Sequence, residues 1–337
     1  MTVVALPTMA MRTDALRPGE LRPEDLEQYR RELTGYCYRM LGSGFEADDA
    51  VQETMVRAWR GIDGFEGRSA VRSWLYRIAT NVCLDLLRGR QRRALAMDMG
   101  PASTADAFKG ETRPEHAWVS PIADDRILPD NGDPADVAMA RDTVRLAFVT
   151  ALQHLPPKQR AVLILREVLR WQATEVAELL DTSVASVNSA LQRARASLAD
   201  RNAGAHPGES SGAAMSADQQ ALVARYVDAF ERYDIAALVT ILHQDAIMSM
   251  PPYDFWLRGP DEMARWLLGE GSGCRGSRLV AVQANGGAAF GSYRVDPEGG
   301  HMPFAIQLLE ISGDRIVGHH NFLDTNLFAA FGLPAHL

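Results

Sequence analysis

The chain has 337 residues, of which 47% are hydrophobic and 23% charged, so it is long enough for about two domains and is not a disordered chain. No apolar run reaches the roughly 18 residues of a membrane span, and the first ten residues lack the basic start and the cleavage site of a signal peptide. The net charge of −8 argues at first against a nucleic-acid partner.

This negative charge is unevenly distributed along the chain. Residues 1–100 carry +1 and residues 141–203 carry +3, whereas residues 101–140 carry −5 and residues 204–337 carry −7. In the stretch 68–93, seven arginines are accompanied by a single acidic residue. The overall charge therefore conceals a neutral-to-basic part of the chain that can bind nucleic acid.

The stretch from residue 24 to residue 93 is predicted to be helical. Apolar residues recur there at three- and four-residue spacing, and glycine-containing breaks interrupt the pattern. Cys37 and Cys83 fall on the apolar stripes, so we predict that both are buried. With Cys274 they make an odd number of distant cysteines, which excludes a disulfide framework and most metal sites and indicates a reducing cytoplasm.

The last helix of this stretch is predicted from Ser69 to Arg93 and is rich in arginine. Guanidinium groups bind phosphates, and aromatic side chains stack on unpaired bases. A solvated charged face is the alternative, although the scarcity of acidic partners counts against it. The basic, polar and aromatic side chains expected off the apolar stripe include Arg72, Tyr76, Arg77, Asn81, Arg88, Arg90, Arg92 and Arg93.

Two segments without periodicity divide the rest of the chain. Residues 94–136 are rich in Pro, Gly, Asp and Ala and are predicted to be an acidic linker, with Trp118 and Ile122 as local anchors. Helical periodicity returns over residues 137–203. Residues 204–215 are rich in Gly, Ser, Ala and Pro and are predicted to be a flexible tether.

Residues 174–198 have the pattern of a helix-turn-helix. A short apolar face ends at Leu180, the polar turn Asp181-Thr182-Ser183 follows, and a second apolar face begins at Val184. The turn lacks the glycine expected in this motif, and a plain helical hairpin is the alternative. The second helix of such a motif places its first side chains in the major groove and later ones near phosphates. The side chains concerned are Ser183, Ser186, Asn188, Ser189, Gln192, Arg193 and Arg195.

Residues 216–337 differ in character and are predicted to form an α+β domain. Ser216 caps one helix, and Asp234 begins a shorter one. Short alternating or apolar runs follow, separated by Gly-Gly, Gly-Asp and Pro-Glu-Gly breaks. Helices followed by strands that are joined through short turns predict an antiparallel sheet.

The order of three motifs resembles that of bacterial sigma-70-type factors. Residues 45–59, FEADDAVQETMVRAW, resemble the core-polymerase-binding signature of that family, and residues 72–81, RSWLYRIATN, resemble its −10-element helix. Residues 155–160, LPPKQR, and the helix-turn-helix that closes in residues 191–198, LQRARASL, resemble its −35-binding module. Two such modules without the intervening domains of housekeeping factors are the layout of extracytoplasmic-function (ECF) sigma factors.

This resemblance covers residues 24–93 and 135–200 and implies how the chain works. The first module would bind the clamp coiled coil of the largest polymerase subunits, the arginine-rich helix would hold melted −10 DNA, and the helix-turn-helix would bind the −35 element. The acidic linker would repel duplex DNA and thread through the polymerase channel that later carries RNA. Many members have a basic side chain where this chain has Asn188, which predicts a different or weaker −35 preference. The implied polymerase-binding residues are Asp48, Asp49, Gln52, Glu53, Arg57 and Trp59.

Beyond the two sigma modules, residues 216–337 resemble SnoaL-like domains of the nuclear-transport-factor-like cone fold. The resemblance lies in residues 226–230 (YVDAF), 234–238 (DIAAL) and 245–252 (DAIMSMPP). In enzymatic relatives the cone encloses a pocket with an acid–base carboxylate or histidine, although a purely structural role is the stronger reading of each candidate here. Of the adjacent His319 and His320, at most one can face the interior. The candidate pocket residues are His243, Asp254, Trp256, Trp266, His319, Asn321 and Asp324.

The predicted fold class is a multidomain chain with two all-α sigma modules (20–93 and 137–203), namely a helical bundle and a helix-turn-helix, and a cone-shaped α+β domain (216–337). We predict a cytoplasmic ECF sigma factor that binds core RNA polymerase and −35 and −10 promoter DNA and catalyses no reaction. The SnoaL-like domain is expected to contact the sigma modules and to regulate them in cis. The sequence leaves open whether it activates or inhibits them. No metal, cofactor or membrane partner is expected. The alternatives are a SnoaL-like enzyme fused to a DNA-binding anchor and a ligand-responsive helix-turn-helix regulator.

Overall fold

The computed structural model describes residues 21–67, 69–129, 133–202 and 215–337. Arg68 and most of the predicted tether lie outside the described residues. Within the described ranges, no helix is both long and apolar enough to cross a membrane. The same ranges contain no group of three or more His, Cys, Asp or Glu side chains that could hold a metal ion.

The first module is a bundle of helices, as the periodicity predicts. The first helix ends at Gly42, which has a left-handed φ of 72°, and Ser43 then caps the second by accepting a hydrogen bond from the amide of Glu46. Cys37 and Cys83 are fully buried between the helices, which confirms their predicted place in the core. The helices of this module are α1 (Arg30–Leu41), α2 (Gly44–Gly61) and α3 (Val71–Leu86).

Helix α3 is shorter than predicted, because it ends at Leu86 and not at Arg93. Gly89 adopts a left-handed φ of 69° in the turn that follows, and this conformation cannot continue a right-handed helix. The last arginines of the group therefore lie on a turn and an irregular segment: Arg88, Arg90, Arg92 and Arg93.

Over residues 94–129 the acidic linker contains only single helical turns. Trp118 forms a bridge with Ala94, and both Trp118 and Ile122 are buried, which confirms the two predicted anchors. Trp118 packs with Trp256 of the C-terminal domain, whereas Ile122 belongs to the core of the helical modules. The linker therefore lies between the two parts of the molecule.

The second module ends in the predicted helix-turn-helix, formed by its last two helices. In the turn between them Asp181 has a left-handed φ of 49°. Aspartate is one of the few residues besides glycine that tolerate this conformation, so Asp181 replaces the missing glycine. The helices are α4 (Pro134–Asp142), α5 (Leu146–Gln153), α6 (Pro157–Leu163), α7 (Ala173–Leu179) and α8 (Val184–Asn202), with a π-helical turn at Ile164–Val168.

The two helical modules share one hydrophobic core, and two buried arginines cross their boundary. Arg160 of the LPPKQR segment donates to the carbonyl oxygen of Met40 in α1 and to the side chain of Gln153. Arg39 of α1 donates in turn to the carbonyl oxygen of Thr143 at 3.1 Å. Burial lowers the pKa of both arginines to about 10, so both remain charged at neutral pH and join the modules through charged hydrogen bonds.

The C-terminal domain packs its helices on one six-stranded sheet with the strand order β2-β1-β6-β5-β4-β3. Strands β3 to β6 are antiparallel, but β1 pairs with β6 in parallel, so the prediction of a wholly antiparallel sheet is wrong. The parallel pair joins strands that are distant in sequence, which local turn signals do not encode. The elements are α9 (Ala217–Glu231), α10 (Ile235–Thr240), β1 (Leu242–Ser249), β2 (Trp256–Arg258), α11 (Pro260–Leu268), β3 (Arg278–Ala284), β4 (Gly287–Val295), β5 (His301–Ser312), β6 (Arg315–Phe322) and α12 (Asn326–Ala330).

The two faces of this sheet are covered by different parts of the molecule. The inner face packs against Tyr226 and Phe230 of α9 in a hydrophobic cluster of its own. The outer face, with Leu308 and Phe322, belongs to the same core cluster as the helical modules. One side of the C-terminal domain thus completes the core of the helical modules.

Candidate polymerase and promoter interfaces

The predicted polymerase-binding side chains lie on the solvent side of α2. The helix buries its apolar residues against α1 and α3, which leaves the polar positions between them exposed. Trp59 is 61% exposed, so it belongs to this surface and not to the buried stripe on which its spacing places it. The exposed members of the set are Asp49, Gln52, Glu53, Arg57 and Trp59.

Asp48 differs from its neighbours because the linker reaches it. The guanidinium group of Arg126 forms an ion pair with the Asp48 carboxylate. Together they border a cleft of about 650 Å³ between α1 and α2, which is also lined by Asp49 and Gln52. The linker therefore covers one end of the predicted polymerase-binding surface.

The predicted −10 residues on α3 are partly engaged inside the protein. Arg72 Nε lies 2.9 Å from Glu32 Oε2, and its guanidinium group lies over the rings of Tyr76 and Trp171, 5.3 Å and 5.6 Å from their centroids. Tyr76 is fully buried, with its ring 5.1 Å from those of Tyr36 and Trp171. The prediction that Tyr76 lies off the apolar stripe is wrong, and its ring is not free to stack on a base in this conformation.

The arginines after α3 have acidic partners that the local sequence does not indicate. Arg90 Nη1 and Arg93 Nη2 lie 2.6 Å and 2.7 Å from the same Glu46 oxygen, and Arg88 pairs with Asp85 at 3.3 Å. Arg93 is also buried and donates to two linker carbonyl groups. Arg90 and Arg93 thus share one carboxylate from another helix, Arg88 pairs locally with Asp85, and Asn81 and Arg92 are exposed.

The predicted −35 side chains are all exposed on α8 or at its start. Val187, Leu191 and Ala194 form the buried face of the helix, so the opposite face carries the polar set. The Ser183 hydroxyl oxygen caps α8 by accepting a hydrogen bond from the Ser186 amide at 3.1 Å. The exposed set is Ser183, Ser186, Asn188, Ser189, Gln192, Arg193 and Arg195, of which Arg195 also pairs with Glu167 at 2.7 Å.

The predicted −10 surface contacts α7, the helix that precedes the predicted −35 surface. Arg77 Nη2 on α3 lies 3.8 Å from Glu178 Oε1 on α7, and it donates to the Glu178 carbonyl oxygen at 3.3 Å. Glu178 precedes Ser183 by five residues, so the start of α8 lies within about 18 Å of Glu178. The −10 and −35 surfaces are therefore close neighbours in this conformation.

A turn of the C-terminal domain joins all three parts of the chain. Asn285, between β3 and β4, donates from Nδ2 to the Tyr38 hydroxyl at 2.6 Å and to the Val144 carbonyl oxygen at 2.7 Å, and its Oδ1 accepts from the Ile122 amide at 3.0 Å. These partners lie in α1, the second module and the linker. Sequence reasoning treats this Asn-Gly-Gly stretch only as a strand break, and its one distinctive signal is an Asn-Gly pair that favours positive φ.

Next to this turn, Asp124 of the linker accepts a hydrogen bond from the Gly286 amide at 2.8 Å. Its carboxyl group is buried, and burial raises its pKa to about 6. Arg141 opposes the shift and, with Asp124, lines a cleft of about 400 Å³ where the linker, α4 and β3 meet. A carboxyl group that titrates near neutral pH therefore lies at the junction of the three parts.

The candidate pocket residues of the C-terminal domain lie in different environments. Asp254 is exposed in a loop and pairs with Arg113 of the linker, and Trp256 packs on the outer side with Trp118. His243 is the second residue of β1, and its Nδ1 accepts a hydrogen bond from the Asp245 amide. The remaining members are Trp266 on α11, His319 and Asn321 on β6, and Asp324, whose carboxylate accepts a hydrogen bond from the Asn326 amide at the start of α12.

His319 faces the inner side of the sheet and is hydrogen-bonded in a chain with Tyr226 and Gln307. The Tyr226 hydroxyl donates to Gln307 Oε1 at 2.7 Å and lies 3.0 Å from His319 Nε2, so that nitrogen donates to the hydroxyl oxygen. Burial lowers the pKa of His319 to about 3, with a smaller contribution from His320. His320 itself points to the outer side, where its Nδ1 lies 2.8 Å from the Ser249 hydroxyl. The two histidines thus lie on opposite faces, as their adjacency requires.

Comparison with protein families covers most of the chain. The family model for Sigma-70 region 2 matches residues 26–93, that for Sigma-70 region 4 matches residues 145–198, and that for the SnoaL-like domain matches residues 223–319. These matches fall on the first helical module, the second helical module and the C-terminal domain, respectively.

Individual relatives agree with the family models. The chain is 44% identical over 313 residues to the ECF RNA polymerase sigma factor SigG of Mycobacterium tuberculosis (strain ATCC 25618 / H37Rv), a match that covers 92% of this chain and 83% of SigG. It is 31% identical over 174 residues to the ECF RNA polymerase sigma factor SigW of Bacillus subtilis (strain 168), with 50% and 82% covered. Its fold is similar to the crystal structure of the M. tuberculosis ECF sigma factor SigJ, with a TM-score of 0.58 at 22% identity over 93% of this chain and 100% of that one.

Two helical modules that end in a helix-turn-helix and are joined to a mixed-sheet domain define a DNA-binding regulatory protein. More specifically, the chain belongs to the ECF sigma factors of RNA polymerase and carries a SnoaL-like domain at its C-terminal end. It is therefore a transcription initiation factor that binds core RNA polymerase and promoter DNA.

Proposed function

We propose that this sigma factor is held closed by its own C-terminal domain and must open to start transcription. In the open form, α2 binds core polymerase, α3 and the arginines after it hold −10 DNA, and α8 reads the −35 element. In the closed form, Asp48 of α2 and several −10 arginines are paired within the chain, and α3 is held beside the helix that precedes α8. Its place of action is the cytoplasm, together with RNA polymerase.

The observation that carries this proposal is the contact between Arg77 and Glu178. Promoter elements centred near −35 and −10 are about 25 base pairs apart, which is about 85 Å of B-DNA. The chain between Glu178 and the start of α8 spans at most about 18 Å, so α3 and α8 in this packing lie too close to reach both elements. Binding both therefore requires the modules to separate.

Ion pairs within the chain support the same proposal. The linker residue Arg126 forms an ion pair with Asp48 on the polymerase-binding helix, and Glu46 forms ion pairs with Arg90 and Arg93. Promoter phosphates and polymerase side chains would have to replace these partners. The partly exposed pairs of Arg126 with Asp48 and of Arg90 with Glu46 contribute little energy each, so they suit a contact that opens on binding.

The C-terminal domain supports closure through Asn285. Its three side-chain hydrogen bonds reach α1, the linker and the second module and are buried. Opening the modules exchanges these bonds for bonds to water, and each such hydrogen bond contributes about 0.5–1.5 kcal/mol net. The domain thus acts as a regulator in cis, and the proposal assigns it inhibition in the free chain.

We assign no catalytic role to the C-terminal domain. Its buried histidine, His319, is hydrogen-bonded to Tyr226, which is bonded in turn to Gln307. A neutral imidazole that is held in such a chain, with a pKa of about 3, is poorly matched to acid–base work near pH 7.

The experiment that tests the proposal is the substitution Asn285→Gly. Asn285 has a φ of 52°, which glycine adopts without strain, so the variant removes the three hydrogen bonds but keeps the turn. With core polymerase and a promoter selected by sequencing the products of the reconstituted holoenzyme, we expect at least a threefold rise in transcript yield. Removal of residues 204–337 is expected to act in the same direction.

The matched control is Asp314→Ala, a substitution in the exposed turn between β5 and β6. We expect it to leave transcript yield unchanged. Equal yields from wild type and a folded Asn285→Gly variant would show that this turn does not restrain the sigma modules.

A further inference from the structure

The linker places one aromatic side chain in a box of three rings on the C-terminal domain. The Phe108 ring centroid lies 4.9 Å from that of Trp266 and 5.1 Å from those of Tyr253 and Phe255. All three interplanar angles lie between 71° and 77°, so each contact is edge to face, a favourable arrangement of aromatic rings. Phe108 belongs to the linker, whereas the box belongs to the other domain.

The walls of this box are held by contacts that do not involve Phe108. Trp266 packs against Gly271, where a Cβ atom would lie only 2.7 Å from the indole nitrogen. The Tyr233 hydroxyl donates to the carbonyl oxygens of Leu267 and Gly271 and so fixes the chain that carries the tryptophan. Trp266 and Phe255 also contact each other, with centroids 4.9 Å apart. Trp266 and Phe255 are therefore held within the C-terminal domain, while Tyr253 is also bridged to Thr112 of the linker.

Phe108, by contrast, is carried by a short loop of the linker. Phe108 follows a single helical turn, Ala105–Ala107, and its neighbours Lys109 and Gly110 are exposed. Near it, the Ala105 amide donates to Glu262 at 2.8 Å. A fixed aromatic box with a half-buried occupant on a short loop has the form of a binding site that is filled by a tethered ligand.

We propose that this box is a binding site for a neutral planar aromatic molecule and that Phe108 is its built-in competitor. A molecule with the ring chemistry of phenylalanine makes the same edge-to-face contacts and displaces Phe108. Displacement loosens the loop around Phe108, whereas Ala105 on one side and residues 111–113 on the other stay hydrogen-bonded to the C-terminal domain. The further step, in which this loosening favours the open sigma factor, rests on the proposed function. Binding of the aromatic molecule does not depend on it.

Competition sets the size of the expected effect. A short flexible tether holds its group at an effective concentration of the order of millimolar or above. The free molecule must therefore overcome a competitor that is always present, which lowers its apparent affinity for the wild-type chain. Removing the competitor by Phe108→Ala is expected to strengthen binding at least tenfold.

The test uses full-length protein, 2-naphthol as the probe and a lysine-specific protease. The chain has two lysines, exposed Lys109 next to the occupant and Lys158 in the first turn of α6, which serves as an internal control. We expect 2-naphthol to accelerate cleavage after Lys109 at least fivefold in the wild type without changing cleavage after Lys158. Phe108→Ala is expected to be cleaved at the accelerated rate without the probe and to bind it at least tenfold more tightly by calorimetry.

Two further variants keep the result specific. Trp266→Ala is expected to abolish the response to the probe. Phe331 is a half-buried aromatic residue outside the box, and Phe331→Ala is expected to leave the response unchanged. The proposal is overturned if the wild type binds 2-naphthol without faster cleavage after Lys109, or shows no binding up to the solubility limit of the probe. Equal affinity of the wild type and a folded Phe108→Ala variant would also overturn it. Neither readout involves transcription, so failure here is distinct from failure of the closed-state proposal.

Discussion

Asp124 carries a charge that its surroundings disfavour. Its carboxyl group is buried at the junction of the linker, the second module and the C-terminal domain, and burial raises its pKa from 3.8 to about 6. A pKa that is raised in the folded state means that the neutral form stabilises the fold. This contribution is complete below about pH 4 and is lost as the pH rises through about 6. Near neutral pH the ionised group therefore weakens the junction that holds the chain closed.

The substitution Asp124→Asn is expected to stabilise the protein at pH 7.5. The side-chain oxygen of asparagine can still accept the hydrogen bond from Gly286, but no charge is buried. A shift of about two pKa units corresponds to about 3 kcal/mol in the free energy of unfolding, as an upper value. Denaturant unfolding at several pH values measures the effect.

The difference between variant and wild type is expected to be near zero at pH 4, to grow up to about pH 6 and to be constant above it. A difference that does not depend on pH would mean that Asp124 is already ionised throughout this range. Asp314→Asn, at an exposed carboxylate in the turn between β5 and β6, is the control and is expected to leave the pH profile of the wild type unchanged.

Most charged side chains of α2 are exposed to solvent, whereas Asp48 is paired with Arg126 of the linker. We expect Asp49→Ala combined with Glu53→Ala to weaken binding to core polymerase at least tenfold, because both carboxylates lie on the proposed interface. Arg126→Ala is expected to act in the opposite direction, with about a two- to fivefold gain, since an exposed pair is worth up to about 1 kcal/mol. Fluorescence anisotropy of labelled protein titrated with core polymerase measures both.

Asp49 and Glu53 are exposed, so the thermal unfolding of the double variant should match that of the wild type. Asp314→Ala, on the far turn of the sheet, controls for a general effect of losing a carboxylate. Unchanged affinity after loss of Asp49 and Glu53 would place the polymerase interface elsewhere on the chain.

At the level of elements, the periodicity of apolar residues predicts most of the helices. It fails where contacts with residues distant in sequence determine whether a side chain is buried. The repeat of apolar residues predicts the helices of both modules, and Ser216 marks the start of α9, where it accepts a hydrogen bond from the Gln219 amide. The same repeat places Trp59 inside and Tyr76 outside, whereas the structure has the reverse. Tyr76 is buried because Tyr36 and Trp171 close over it, and no pattern within α3 records those partners.

The candidate interfaces are predictable to a similar extent. The polar face of α8 follows from local spacing alone, and all seven of its predicted side chains are exposed. The pairing of Glu46 with Arg90 and Arg93 depends on how α2 packs beside the end of α3. The contacts of Asn285 with three segments and of Phe108 with the aromatic box depend on the arrangement of whole domains. Such contacts form between residues that no short-range signal connects.

The molecule as a whole is expected to lose its central junction when it binds core polymerase. The amide of Ile122 donates to Asn285, the amide of Gly286 donates to Asp124, and the amide of Asn285 donates to Ile122. If the modules separate, these amides lose their partners and their hydrogen exchange accelerates at least tenfold in the complex. Hydrogen-exchange mass spectrometry of the free and bound protein measures this.

The ladder between β4 and β5 provides the internal control, because it lies within the C-terminal domain and is expected to keep its protection on binding. Unchanged exchange at Ile122 and Gly286 in the complex would contradict opening at this junction.

The Asn285 turn and the surfaces it restrains belong to one polypeptide, and this has a consequence for gene dosage. An inhibitor made as a separate protein can be outnumbered, so that activity appears abruptly once synthesis of the sigma factor exceeds that of the inhibitor. Here every copy carries its own restraint, and opening is a unimolecular equilibrium whose constant does not depend on protein concentration. Doubling synthesis would double the amount of open factor, with no threshold to cross. Control of such a factor has to act on the equilibrium itself and not on the ratio of two proteins.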